Sequence, residues 1–252
     1  ASDVYKRQIF ASVGIINAIN LMDGVNGLSS GFCIMASIMF GTLFYLSGCI
    51  TMTILAAVSV GALIPFFFHN VFGKTSKMFI GDGGTLVMGT IMSIFVIEVL
   101  RGDSPCVAYV NPNVGLVPFT LAVLGIPVFD TLRVMSTRIL KGVSPFNPDK
   151  THLHHMFIEL GASHVATTLA ILSLDMLVVL CWWLLETQGA SIAVQLYVVV
   201  GMSLLATFGL YHFMLWHIRH DTKFLRLIRR LGYRTHVSRT GIFFWLQKVV
   251  DK

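Results

Sequence analysis

The sequence predicts an all-α integral membrane protein, and three observations carry that prediction. Of its 252 residues, 55% are hydrophobic and only 12% are charged, where soluble domains carry about 25%. The mean hydropathy is accordingly high, at +0.78. The apolar residues fall into runs of roughly 20, the length that crosses a hydrocarbon layer of about 30 Å at about 1.5 Å per residue. The basic residues gather at alternate ends of those runs. A chain of this length has no aqueous core able to hide so much apolar surface, which excludes a soluble enzyme, a disordered tail or a fibrous repeat.

Taken in order, residues 9–22 form a short apolar run, read as the end of a helix that meets a polar cluster at Asp23. Segments long enough to span follow at 28–47, 50–69, 84–100, 114–132 and 165–186, with a sixth at 192–216, so about seven membrane helices are expected. If they alternate, the loops at 23–27, 70–83, 133–164 and 217–252 share one face. That face holds fifteen of the eighteen Lys and Arg residues, and the opposite face holds only Arg101. Lys and Arg mark the cytoplasmic side. Lys6 and Arg7 break the pattern, and ASDVYKRQ has neither an initiator Met nor signal-peptide architecture, so residues 1–8 are read as a non-native or fragment edge. Residues 9–216 then form a polytopic membrane domain.

The 217–252 segment is a basic amphipathic tail. Phe224, Leu225, Leu227, Ile228 and Leu231 are interleaved with Arg226, Arg229, Arg230 and Arg234, which suits anionic headgroups at a membrane surface, or a solvated tail that only sets topology. Cys33, Cys49, Cys106 and Cys181 include no C-x-x-C pair and are read as packing residues.

Three polar loops carry the chemistry. In the first, Asn17, Asn20 and Asp23 recur every three residues along one side of a helix end, followed by Gly24, Asn26 and Gly27. A carboxylate and two amides so placed suit a metal-nucleotide; helix capping and turn formation are the alternative. The second reads Lys77-Met-Phe79-Ile-Gly81-Asp82-Gly83-Gly84-Thr85 before a span. Its glycines let phosphate approach the backbone, the helix start supplies free N–H groups, and Asp82 offers the hard oxygen that Mg²⁺ prefers. No G-K-[ST] follows, so it is not a P-loop. A tight turn with Asp82 as N-cap is the alternative.

The third loop contains Asp130, Arg133, Arg138 and Lys141, then Ser144-Pro-Phe-Asn-Pro-Asp149-Lys150-Thr-His152-Leu-His154-His155. H-x-H-H lacks the H-E-x-x-H spacing of zinc proteases. Imidazoles and Arg beside a Mg²⁺-carboxylate site better suit pyrophosphate, because they donate to the charge that develops in phosphoryl transfer. Glu98 and Asp175 within spans, and His69, His164, His212 and His217 at helix ends, are read as buried pairs and interfacial residues.

Together these motifs resemble the polyprenyl-phosphate N-acetylhexosamine-1-phosphate transferase family over 17–161. Asn17, Asn20, Asp23 and Gly24 are similar to its N-x-x-N-x-x-D-G, Phe79, Gly81 and Asp82 to its F-M-G-D, and His152, His154 and His155 to its terminal histidine motif. Ser144 to His155 resembles the branch that starts O-antigen, teichoic acid and other surface glycans, which points to N-acetylglucosamine as the sugar. The resemblance implies a UDP-N-acetylhexosamine donor, undecaprenyl phosphate as acceptor, release of UMP, and Mg²⁺, with Mn²⁺ as a substitute. It implies a bacterial inner membrane, an active site facing the cytoplasm, no nucleic acid, and a homodimer as an assembly to test.

By the same resemblance Asp82 holds the metal, Asp23 and Asn20 line the nucleotide site, Phe79 stacks on uracil, and the three histidines engage the diphosphate. Asn17, Asn26, Lys77 and Arg138 complete the substrate-binding set. Departures are Asn26 where many members carry Asp, Ile80 in place of Met, and Gly83-Gly84-Thr85 in place of T-G-S. The family's aspartate-rich motif is absent, since the chain has no D-D or D-x-x-D, so a C-terminal fragment inactive alone is expected. The competing class is a transporter of a small polar or anionic substrate, whose polar residues would sit at mid-membrane; here they fall on one face.

Overall fold

The computed structural model describes residues 2–109, 114–144, 151–234 and 241–251. It is all-helical: α1 (Ser2–Leu21), α2 (Leu28–Leu46), α3 (Ile50–Phe72), α4 (Gly81–Leu100), a short α5 (Pro105–Tyr109), α6 (Leu116–Leu140), α7 (Leu153–Glu159) and α8 (His164–Thr187) come first. The next span starts as α9 (Ile192–Leu204), passes through one π-helical turn at Leu205–Gly209 and continues as α10 (Leu210–Arg219). Two tail helices follow, α11 (Lys223–Arg234) and α12 (Ile242–Val250). Six helices are long and apolar enough to cross a membrane, namely α2, α3, α4, α6, α8 and the α9–α10 unit. These six, found among the described residues and without α1, are close to the expected seven.

Several helix limits differ from expectation: α1 begins at Ser2 rather than residue 9, and α3 and α10 each run three residues further, to Phe72 and Arg219, while two other differences bear on the site. The segment expected at 84–100 begins three residues earlier, so Asp82 lies in the first turn of α4, and Ile80 rather than Asp82 is the N-cap. The segment expected to end at 132 runs on to Leu140. Arg133 and Arg138 therefore belong to α6 and are buried. A hydropathy window stops at Arg133 because it cannot see that Asp130 pairs with it.

The core is aromatic at its centre. Phe40 contacts Phe95 at 5.8 Å and Phe119 at 5.5 Å between ring centroids, and Phe44 meets Phe95 edge-on at 5.4 Å, geometries that ring quadrupoles favour. These rings bind α2, α4 and α6 together. Helix α1 lies along α4 because Gly89 has no side chain: a Cβ there would stand 2.7 Å from the Ile16 Cα. Small residues permit such close helix contact in lipid, where no hydrophobic force drives association. Outward faces carry large apolar residues such as Ile54, Val58, Leu177 and Trp183, as lipid contact requires.

Candidate functional site

The site forms where three loops meet at one end of the bundle, and each loop is held by a residue from elsewhere. At the end of α1, the Thr85 hydroxyl in α4 donates to Asn20 Oδ1 at 2.5 Å. This ties the helix end that carries Asp23 to the helix start that carries Asp82. The two carboxylates are close enough for Asp82 to act electrostatically on Asp23. Loss of solvent around Asp23 raises its pKa, the hydrogen bond from Ser29 at 2.8 Å works against the rise, and the charge on Asp82 adds to it.

The turn after Asp23 is pinned from three directions. Gly27 adopts φ +79°, and a Cβ there would collide with Val71 and Phe67, so only glycine fits. Its N–H donates to Asn70 Oδ1, and the Asn70 amide donates to the Met78 carbonyl at 2.7 Å. Asn70 thus joins the first loop to the second. His164 Nδ1 accepts from the Asn26 N–H at 3.2 Å and the Thr168 hydroxyl donates to the Asn26 carbonyl at 2.9 Å. Asn26 is therefore fixed through its backbone by α8.

The histidine helix α7 is anchored by a buried ion pair. Asp130 accepts from Arg133 Nη2 at 2.7 Å, from the Leu153 N–H at 3.2 Å, and lies 3.0 Å from His152 Nδ1. A carboxylate cannot donate, so the His152 proton sits on Nδ1 and Nε2 is left without a protein partner. Arg133 also donates to the Thr151 carbonyl at 2.6 Å and stacks on Tyr211 at 3.7 Å. His154 packs parallel to His152, with ring centroids 5.7 Å apart, and His155 lies 4.2 Å from His154. The His154 ring abuts Gly24 of the first loop. Burial, then the neighbouring His155 and His152, lowers the His154 pKa to about 3, so the ring is neutral and its buried Nε2 has no protein partner.

The eleven residues expected at the site separate into groups. Asn20, Asp23, Asn26, Asp82, His152 and His154 belong to this linked assembly, with His155 beside it. Phe79 is 73% exposed, with Lys77 Nζ 5.3 Å from its ring centroid, so both project from the second loop into solvent. Arg138 is buried in the last turn of α6. Asn17 faces elsewhere and lines an apolar groove of about 420 Å³ with Val13, Val96, Leu124 and Thr131. Residues 145–150 of the third loop lie outside the described residues.

Asn70, Asp130, Arg133, Thr85 and His164 are not among the expected site residues, and His164 is read from the sequence as interfacial. The signal for Asn70 was a lone amide in the run Phe-Phe-Phe-His-Asn-Val-Phe. Among the described residues no group of three or more His, Cys, Asp or Glu side chains gathers to hold a metal ion. Asp23 and Asp82, exposed at one rim, do fit Mg²⁺, which usually takes one or two protein carboxylates and completes its shell with phosphate and water.

Residues 5–100 match the model of glycosyl transferase family 4. The chain is 28% identical over 243 residues to an undecaprenyl-phosphate alpha-N-acetylglucosaminyl 1-phosphate transferase of Escherichia coli, covering 94% of this chain and 61% of that protein. The protein of the same name from Yersinia pestis is 29% identical over 245 residues, 93% of this chain and 62% of its own length. A probable undecaprenyl-phosphate N-acetylglucosaminyl 1-phosphate transferase of Bacillus subtilis is 31% identical over 167 residues, 66% of this chain and 44% of that protein. No solved structure matches the chain. The chain thus spans about three fifths of the length of its first relatives. The chain is thus similar to the family 4 glycosyl transferases over residues 5–100 and to the Escherichia coli and Yersinia pestis proteins over nearly its whole length, and its apolar helices make it a multi-pass membrane protein.

Proposed function

We propose that the protein transfers N-acetylglucosamine 1-phosphate from a UDP-sugar to undecaprenyl phosphate, releasing UMP and starting assembly of a cell-surface glycan. The observation that carries this reading is the junction of His154 with Gly24, at the loop whose Asp23 lies within electrostatic reach of Asp82. It sets polarisable imidazoles beside two hard carboxylates at a membrane boundary. Asp82 and Asp23 are the residues that would hold Mg²⁺, which when bound offsets negative charge on the transferring phosphoryl group.

The chain's own side chains supply the rest. Asn20, Asp23 and Asn26 line the nucleotide side, Phe79 offers an exposed ring to a base, and Lys77 adds positive charge next to it. His152 and His154, each with Nε2 lacking a protein partner, engage the diphosphate. The excess of Lys and Arg on the loops of this face supports an active site toward the cytoplasm in a bacterial inner membrane.

The test is UMP release from UDP-N-acetylglucosamine in membranes containing the full-length parent protein that carries this chain, with and without undecaprenyl phosphate and Mg²⁺, and with Asp82→Asn. Release that requires both lipid and metal and is lost in the variant is the expected result. Absence of release with several UDP-amino sugars overturns the reading.

A further inference from the structure

The second loop is gripped at its base by a residue from the far end of the chain. Asp251, just past the end of α12, accepts backbone N–H groups from Lys74 at 3.0 Å, Thr75 at 3.2 Å and Ser76 at 3.1 Å. The Ser76 hydroxyl donates to the same carboxylate oxygen at 2.8 Å, reaches the Val250 carbonyl at 3.2 Å, and lies 3.1 Å from His69 Nδ1. Helix α12 is seated beside it by Phe243, whose ring meets Phe72 of α3 at 5.6 Å. Three successive amides aimed at one anion form a concave backbone nest, a geometry that a carboxylate stabilises more than a neutral acceptor does.

The position of this grip matters. Residues 74–76 are where the chain leaves α3, and the next six residues carry Lys77, Phe79 and Asp82. Asn70 at Met78 and Thr85 near Asp82 also hold this stretch. We infer that Asp251 is a positioning residue for the second loop, by which the C-terminal helix sets where Lys77, Phe79 and Asp82 meet the donor substrate. The inference rests on the transferase reading for its catalytic consequence, and on geometry alone for the grip. It also gives the tail a task other than lying on lipid, because α12 reaches the site through side-chain and backbone contacts.

The experiment uses the full-length parent protein in lipid nanodiscs, with Asp251→Asn, Asp251→Ala and Ser76→Ala, read by hydrogen exchange across 73–80 and by the kinetics of UMP release. Exchange there should rise by about tenfold or more in Asp251→Ala and by less in Asp251→Asn, which keeps one acceptor oxygen, while exchange in α8 stays unchanged. The KM for UDP-N-acetylglucosamine should rise several-fold in the same order, with kcat altered less. Ser76→Ala keeps its amide and should give a small effect of the same kind, which preserves the test if Asp251→Ala fails to fold. Unchanged exchange at 73–80 in all three variants overturns the grip. Raised exchange with unchanged KM and kcat overturns the positioning role. Raised exchange in a protein whose wild type releases no UMP upholds the grip and overturns the transferase reading instead.

Discussion

His154 and Gly24 meet with no room between them: a Cβ at Gly24 would stand 2.5 Å from His154 Nε2. The first and third loops therefore fit only because residue 24 is glycine. Gly24→Ala should displace the imidazole and lower UMP release by at least about tenfold, with a stability loss of about 1–3 kcal/mol. Single-turnover rates and thermal unfolding in detergent check the two parts separately.

The neutrality of His154 should show in stability against pH. Its folded-state pKa is depressed from 6.5 to about 3, mainly by burial, so the unfolded chain takes up a proton first as pH falls. Stability from this group is fully present above pH 6.5 and is lost progressively toward pH 3, by an amount of the order of a few kcal/mol. Unfolding temperatures measured between pH 7 and pH 4 should fall less steeply in His154→Gln than in the wild type. Equal slopes would place the ring in solvent.

The Asp130–Arg133 pair holds the start of α7 through Thr151, His152 and Leu153. Asp130→Asn leaves the Arg133 guanidinium, 1% exposed, without its counter-charge, a change that costs about 3–5 kcal/mol. Arg133→Met combined with Asp130→Asn should recover much of that stability but not activity, because His152 would still lack its carboxylate. A double-mutant cycle on unfolding free energy and UMP release checks this; recovery of both would assign the pair a purely structural role.

Asn70→Ala should uncouple the first and second loops. The Gly27 N–H and the Met78 carbonyl each lose a partner, which costs about 1–3 kcal/mol where such groups stay buried. The KM for the UDP-sugar should rise more than kcat falls, and exchange of the Gly27 amide should accelerate. Unchanged exchange at Gly27 refutes the bridge.

Much of this protein was legible from its residues alone. Lipid imposes a length and polarity on every span, so helices α2, α3, α8 and the α9–α10 unit could be located by counting apolar residues. The three loops were legible because carboxylates, amides, glycines and imidazoles are sparse in such a chain, and a sparse polar residue carries information. Tertiary structure decided what spacing cannot express. Asn17 and Asn20 share a periodic stripe, yet one faces an apolar groove and the other faces Thr85, because α4 and α6 cover different parts of α1.

The limits of α6 show the same division. Arg133 and Arg138 end a hydropathy window, but a buried arginine paired with a carboxylate is compatible with helix and core, and that pairing exists only after folding. Asn70 and Asp251 act on loops 43 and 175 residues away in sequence, and local patterns carry no trace of such separations. Residue chemistry determined where the chain crosses lipid and which groups it can offer to a phosphate. Only the packing of the helices decided which of those groups stand together, because convergence depends on distances that the order of residues does not contain.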